Sequence, residues 1–200
     1  EVAVPMTIAQ CLNLLYNVVD RMYIGRIEGI GSMALTGVGL CFPIITLVSA
    51  FAAFAGQGGA PLASIQLGAG KREDAERILG NSTALLLIMA AVLTVGFSVF
   101  KEPILRAFGA SEATIVYALD YIGIYLLGTV FVQLSLGLNT FISAQGKALI
   151  AMLSVLIGAV LNIVLDPVFI FVFGLGVRGA ALATILSQAV SACWVVGFLC

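Results

Sequence analysis

The charged residues of this chain fall into short clusters, and the stretches between clusters are apolar for roughly 20 residues or more at a time. A helix of that length crosses the hydrocarbon of a bilayer, about 30 Å thick, and satisfies its own backbone hydrogen bonds while doing so. Composition agrees: 62% of the residues are hydrophobic and 10% are charged, where a soluble domain is about a quarter charged. The expected fold class is therefore an all-α integral membrane protein, a bundle of six transmembrane helices.

Charges and turn residues place the six spans at about 2–24, 37–67, 78–100, 118–144, 148–173 and 179–200. Gly25 to Thr36 reads as a glycine-rich connection. Gly68 to Arg77, with six charges in ten residues, reads as a loop or short surface helix. Lys101 to Thr114 reads as an interfacial turn with Ser111 as the N-cap of the next helix, and Ala144 to Lys147 (AQGK) as a tight connection. The Lys71, Arg72 and Arg77 cluster predicts a cytoplasmic position for its own loop and for the AQGK turn, with Arg26, Lys101 and Arg178 on the other side; this assignment leaves four basic residues inside and five outside. The chain opens at Glu1 without a basic leader and closes at Cys200 within apolar sequence, which predicts a piece of a longer protein.

Several function classes drop out. A net charge of -1 with nine scattered basic residues offers no nucleic-acid surface. Histidine is absent, so a Ser/His hydrolase is excluded; no catalytic residue is assigned and no enzyme is expected. Gly56 to Gly59 (GQGG) lacks the GK[ST] that a phosphate loop needs. The cysteines Cys11, Cys41, Cys193 and Cys200 read as small core residues, and Ala52, Gly56, Ala60, Ser64 and Gly68 at +4 spacing as a close-packing face.

Polar groups inside the spans carry the functional signal, because a charge in hydrocarbon costs at least a few kcal/mol. Asn13, Asn17 and Asp20 share one face of the first span; Asp20 can serve a site or simply pair with Arg21 at the interface. In the fifth span Ser154, Gly158, Asn162 and Asp166 recur at +4, and Pro167 predicts a bend with a spare carbonyl near Ile163. Tyr121, Tyr125, Thr129, Gln133 and Gly137 form a third series, with Asn139 near its end, and Thr184, Gln188 and Ser191 a fourth. At about 1.5 Å per residue Asp166 lies ~27 Å beyond Ala148 and Thr184 ~9 Å inward from Arg178, so Asp20, Asp166, Thr184 and Tyr125 reach one level. Two carboxylates with an amide and a hydroxyl suit a hard cation or a shared proton. Asp20, Asn162, Asp166 and Thr184 are thus the candidate Na+ or H+ site, with Asn13, Asn17, Tyr125, Gln133, Asn139 and Gln188 as candidate cavity-lining residues.

The stretches NVVDRMYIG, GQGGAPLASIQLGAGKREDAERILGNS, LNTFISAQGK and LGVRGAALATILSQ, in this order, resemble the multidrug and toxic compound extrusion (MATE) family over nearly the whole chain. The resemblance implies one six-helix lobe, the N-terminal one, of a two-lobe transporter of about twelve helices, with the C-terminal lobe outside this chain. It implies a multi-pass protein of a prokaryotic plasma membrane that exchanges sodium ions or protons for organic, often cationic, compounds by alternating access. It also implies a cation site formed by Asp20, Asn162, Asp166 and Thr184, with no cofactor beyond the coupling ion. Two other readings stand beside it: a flippase for lipid-linked oligosaccharides from the same wider superfamily, and a membrane subunit without transport of its own.

Overall fold

A computed structural model of the chain describes residues 3–200. Val2, where the first span was expected to start, lies outside the described residues. Among those residues the chain is helical with no strand. The elements are α1 (Ala3–Gly25), α2 (Gly31–Leu40), α3 (Phe42–Gly68), α4 (Arg72–Ala107), α5 (Glu112–Leu127), α6 (Thr129–Ala144), α7 (Ala148–Pro167), a π-helical turn (Val168–Val172) and α8 (Val177–Leu199).

The expectation of six spans is narrowed. Four stretches are long and apolar enough to cross a membrane: α2 with α3, α4, α7 with its π turn, and α8. The pair α5 and α6, bent by 58° at Gly128, makes a fifth. At 23 residues α1 is long enough, but Gln10, Asn13, Asn17, Asp20 and Arg21 lower its apolarity below that of the others. Of its polar residues Asp20 is buried, where α1 packs along α7, Asn13 is half-buried, and Gln10, Asn17 and Arg21 stay exposed.

Other boundaries move for local reasons. Helix resumes at Gly31, six residues before the expected start of the second span, where a side chain would strike the carbonyl of Gly25. Most of the charged block after Gly68 joins α4 from Arg72 onward, held at the surface by the i,i+4 pairs Arg72–Glu76 and Glu73–Arg77. The same helix continues through Pro103 to Ala107. Ser111 does precede a helix, but α5 starts at Glu112 rather than near Ala118, and Thr114 Oγ1 accepts the Ser111 backbone N–H at 3.0 Å.

Small residues set the helix spacing. A Cβ on Gly56 would stand 2.5 Å from the carbonyl oxygen of Gly137, so α3 and α6 touch backbone to backbone. Ser64 Oγ donates to the Ala144 carbonyl at 2.9 Å farther along the same contact. In α7, Ser154, Gly158, Asn162 and Asp166 are all buried while Leu149, Val160 and Val164 face outward. That is the distribution of a helix with one protein face and one lipid face. Of the cysteines only Cys41 is in the core; Cys11, Cys193 and Cys200 are exposed, which corrects the expectation that all four are core residues.

Candidate cation site

Four helices converge on one group of polar atoms. Asp20 comes from α1, Asn162 and Asp166 from α7, Thr184 from α8, and Tyr121 of α5 reaches the Thr184 side chain. Asp166 is fully buried, Asn162 is 2% exposed and Asp20 7%. The two carboxyl groups face each other within hydrogen-bonding reach. Arg21 does not turn inward to them; its guanidinium lies 5.3 Å from the centre of the Phe42 ring.

The hydrogen bonding of this group is one-sided. Asn162 Nδ2 donates to Asp166 Oδ1 at 3.3 Å and to Thr184 Oγ1 at 3.4 Å, both long. The Thr184 hydroxyl gives its own proton to the Ala180 carbonyl at 3.0 Å. Asp20 Oδ1, Asn162 Oδ1 and Asp166 Oδ2 are buried without any hydrogen-bond partner. Turning the Asn162 amide over would set its oxygen against the Asp166 carboxylate, so the orientation present is the one that bonds. One amide donor thus faces a surplus of buried oxygens. A buried acceptor without a partner costs about 1–3 kcal/mol, and more if charged, so the arrangement calls for a positive species: a proton, or a cation that prefers oxygen ligands.

Local structure explains how Asp166 comes to be there. Pro167 has no N–H to continue the α-helical ladder, and α7 widens directly afterwards into the π turn, closed by Phe173 N–H on the Val168 carbonyl at 2.9 Å. Gly179 lets α8 approach that turn, since a Cβ there would lie 2.7 Å from the Phe169 carbonyl oxygen. Thr184 follows on α8 little more than one turn later.

Beside the carboxyl pair lies a cleft of about 460 Å³, lined by Asn13, Asn17, Asp20, Tyr121, Tyr125 and Gln188 among others. Of the candidate cavity-lining residues, Asn13, Asn17, Tyr125 and Gln188 are at the cleft. Asn139 does not line this cleft; it faces α7, where its Nδ2 donates to the Ala151 carbonyl at 3.2 Å. Gln133 is elsewhere: it is fully buried in the core and its Nε2 donates to the Val48 carbonyl at 2.8 Å. Residues that spacing did not single out also line the cleft, among them Thr46, Ser49, Gln57 and Thr140. Ser49 and Thr46 lie three residues apart on α3, a polar pair visible in the sequence within the apolar first half of that helix.

Known proteins resemble this chain in both sequence and fold. A family model described as MatE matches residues 5–168. The chain is 32% identical over 189 residues to the multidrug export protein MepA of Staphylococcus haemolyticus, covering 94% of this chain and 41% of MepA. It is 29% identical over 195 residues to MepA of Staphylococcus aureus, covering 95% and 42%. Among solved structures it superposes on MATE in the bent conformation with a TM-score of 0.90 at 33% identity, over 98% of this chain and 43% of that one. A MOP superfamily transporter from Pyrococcus furiosus gives 0.91 at 32%, over 99% and 43%. The chain spans about two-fifths of the length of the curated relatives it matches, and these bear the name of an export protein rather than of an enzyme. With the family model covering most of its length and relatives agreeing in sequence and in fold, this chain belongs to the MatE family.

Proposed function

We propose that this chain is the N-terminal lobe of a cation-coupled antiporter that exports organic, often cationic, compounds across a bacterial cytoplasmic membrane. The observation that carries the proposal is the set of three unpartnered, buried oxygens on Asp20, Asn162 and Asp166, gathered around Thr184 at the edge of a cleft. A coupling cation, Na+ or H+, supplies the positive charge that these oxygens lack. The cleft has the volume of a small-molecule site and carries Asp20 in its wall, which favours organic cations.

Coupling requires the ion and the substrate to prefer different conformations. With the ion bound, the Asp20–Asp166 pair draws α1 onto α7; without it, like charges push α1 away and open the cleft for substrate. A second lobe completes the substrate path and gives alternating access. The flippase reading finds no comparable support, since a pyrophosphate calls for cations and Arg21 alone is basic among the described residues lining the cleft. A subunit without transport leaves two buried carboxyl groups unexplained.

The test is ethidium efflux from liposomes holding the full-length protein under imposed Na+ or H+ gradients. Asp20→Asn and Asp166→Asn are each expected to abolish gradient-driven efflux. Unchanged, ion-dependent efflux in both variants sinks the assignment, and transport without either gradient sinks the coupling itself.

A further inference from the structure

A second, much smaller cavity of about 30 Å³ lies where α1, α6, α7 and α8 meet. Its lining extends from Asn162 and Thr184 to Ser154 and Asn139, about 12 Å along α7. Polar atoms along it pair with one another in two groups, one around Gln188 and one around Ser154. Ser135 Oγ donates to Gln188 Oε1 at 2.6 Å, Ser191 Oγ to the Ser154 carbonyl at 2.9 Å, and Ser154 Oγ to Asn139 Oδ1 at 3.1 Å. Asn139 also lines a wider cavity of about 520 Å³, together with Ala144 and Ala148 that flank the AQGK turn. At the other end, Thr184 lines both the small cavity and the cleft that holds Asp20.

The volume admits one or two water molecules, and a buried water needs two to four polar partners. The lining supplies more than that. Asn162, 2% exposed and part of this lining, has an amide oxygen with no donor. The serine hydroxyls spend their protons on carbonyls or on the side-chain oxygens of Asn139 and Gln188 and keep lone pairs to accept from water. Neither a hydrated sodium ion nor an organic molecule fits a space this small. Tyr16 is the one titratable residue among the lining, so no fixed charge there repels or traps a proton.

We propose that this cavity is a proton path joining the Asp20–Asp166 pair to the AQGK end of the bundle, separate from the wide cleft that takes the organic substrate. The inference rests on reading that pair as the coupling site. Protons move along it by exchange between water and hydroxyl groups. Each O–H bond broken at the Asn139 end is matched by one formed at a carboxylate, so no co-reactant is needed. Two molecules of opposite destination can then use one lobe without meeting.

The experiment uses the full-length protein in liposomes with a pH-reporting dye inside, a pH gradient imposed, and substrate affinity measured separately at equilibrium. Gly158→Ala is the plug: its Cβ would lie 2.5 Å from Ser191 Oγ, inside the cavity. The expected result is substrate-coupled proton flux slowed about tenfold or more, with substrate Kd unchanged. Ser191→Ala, which removes the hydroxyl but leaves room for a water in its place, is expected to keep flux within about twofold of wild type. Wild-type flux in a folded Gly158→Ala protein overturns the path. If Gly158→Ala does not fold, Ser191→Val fills the same space from α8 and is judged by the same criterion. Wild-type transport driven by sodium alone also overturns the path while leaving the carboxylate site intact; loss of all coupling in wild type instead removes the antiport reading on which the path depends.

Discussion

Asp166→Asn should make the ion-free protein more stable while destroying its response to ions. In wild type the two carboxyl groups face each other within the bundle. Two like charges about 4 Å apart at an effective dielectric constant of about 20 repel by ~4 kcal/mol. Asparagine removes that repulsion, and its shape preserves the neighbouring contact: its oxygen accepts from Asn162 Nδ2, as Asp166 Oδ1 does at 3.3 Å. Its own amide N–H can then donate to Asp20, a hydrogen bond to a charged group worth about 1.5–3 kcal/mol. Against this stands the desolvation of one more amide, so a net gain of about 2–4 kcal/mol is expected in alkaline, sodium-free and potassium-buffered detergent solution. Thermal unfolding of the full-length protein measures it. Wild type should gain stability as the coupling ion is added, by about 2.7 kcal/mol at a hundred times its Kd, and the variant should show no ion-dependent shift. A variant that is less stable than wild type without ions, or that keeps the ion-dependent shift, refutes the mutual repulsion and with it the site.

Thr184→Val keeps the shape of the side chain but removes the hydroxyl that meets Asn162; the ion concentration for half-maximal efflux should rise by about tenfold, the equivalent of ~1.4 kcal/mol, and no rise means Thr184 is not a ligand. Gln133→Leu removes the side-chain hydrogen bond to the Val48 carbonyl, which keeps its own partner within α3, so it should lower stability by about 0.5–1.5 kcal/mol while leaving substrate affinity unchanged. A changed affinity would place Gln133 at the cleft after all.

The contrast between Gln133 and Asp166 explains what sequence could and could not convey. Along α7 the +4 rule needs only a straight helix, and from Ser154 to Asp166 the helix is unbroken, so the spacing placed four residues on one buried face. Depth needed only the rise per residue, which brought Asp20, Asp166, Thr184 and Tyr125 to one level. The series Tyr121, Tyr125, Thr129 and Gln133 obeys the same rule on paper, but it crosses the 58° bend at Gly128. Beyond the bend the face turns away from the cleft and into the core. No proline marks that bend. It arises where α8 presses on the chain: a Cβ on Gly128 would stand 2.5 Å from Ile185, a tertiary contact between residues 57 positions apart that local sequence does not encode. The early start at Gly31 has the same kind of cause, since it depends on how closely the chain folds back onto Gly25.

The polar stripe of α1 also has a consequence for biogenesis. Its chief packing partner is α7, whose residues follow more than a hundred positions later in the chain. At a synthesis rate of about 5–20 residues per second, α1 leaves the ribosome roughly 7–30 s before α7 exists to cover Asp20. For that interval Asn13, Asn17 and Asp20 have no permanent neighbour, and lipid is a poor solvent for them. The nascent helix is therefore expected to wait at the bilayer surface or within the insertion machinery and to settle across the membrane once α7 arrives. The polar face on which the proposed cation site is built therefore also makes the first helix a late arrival in its own membrane.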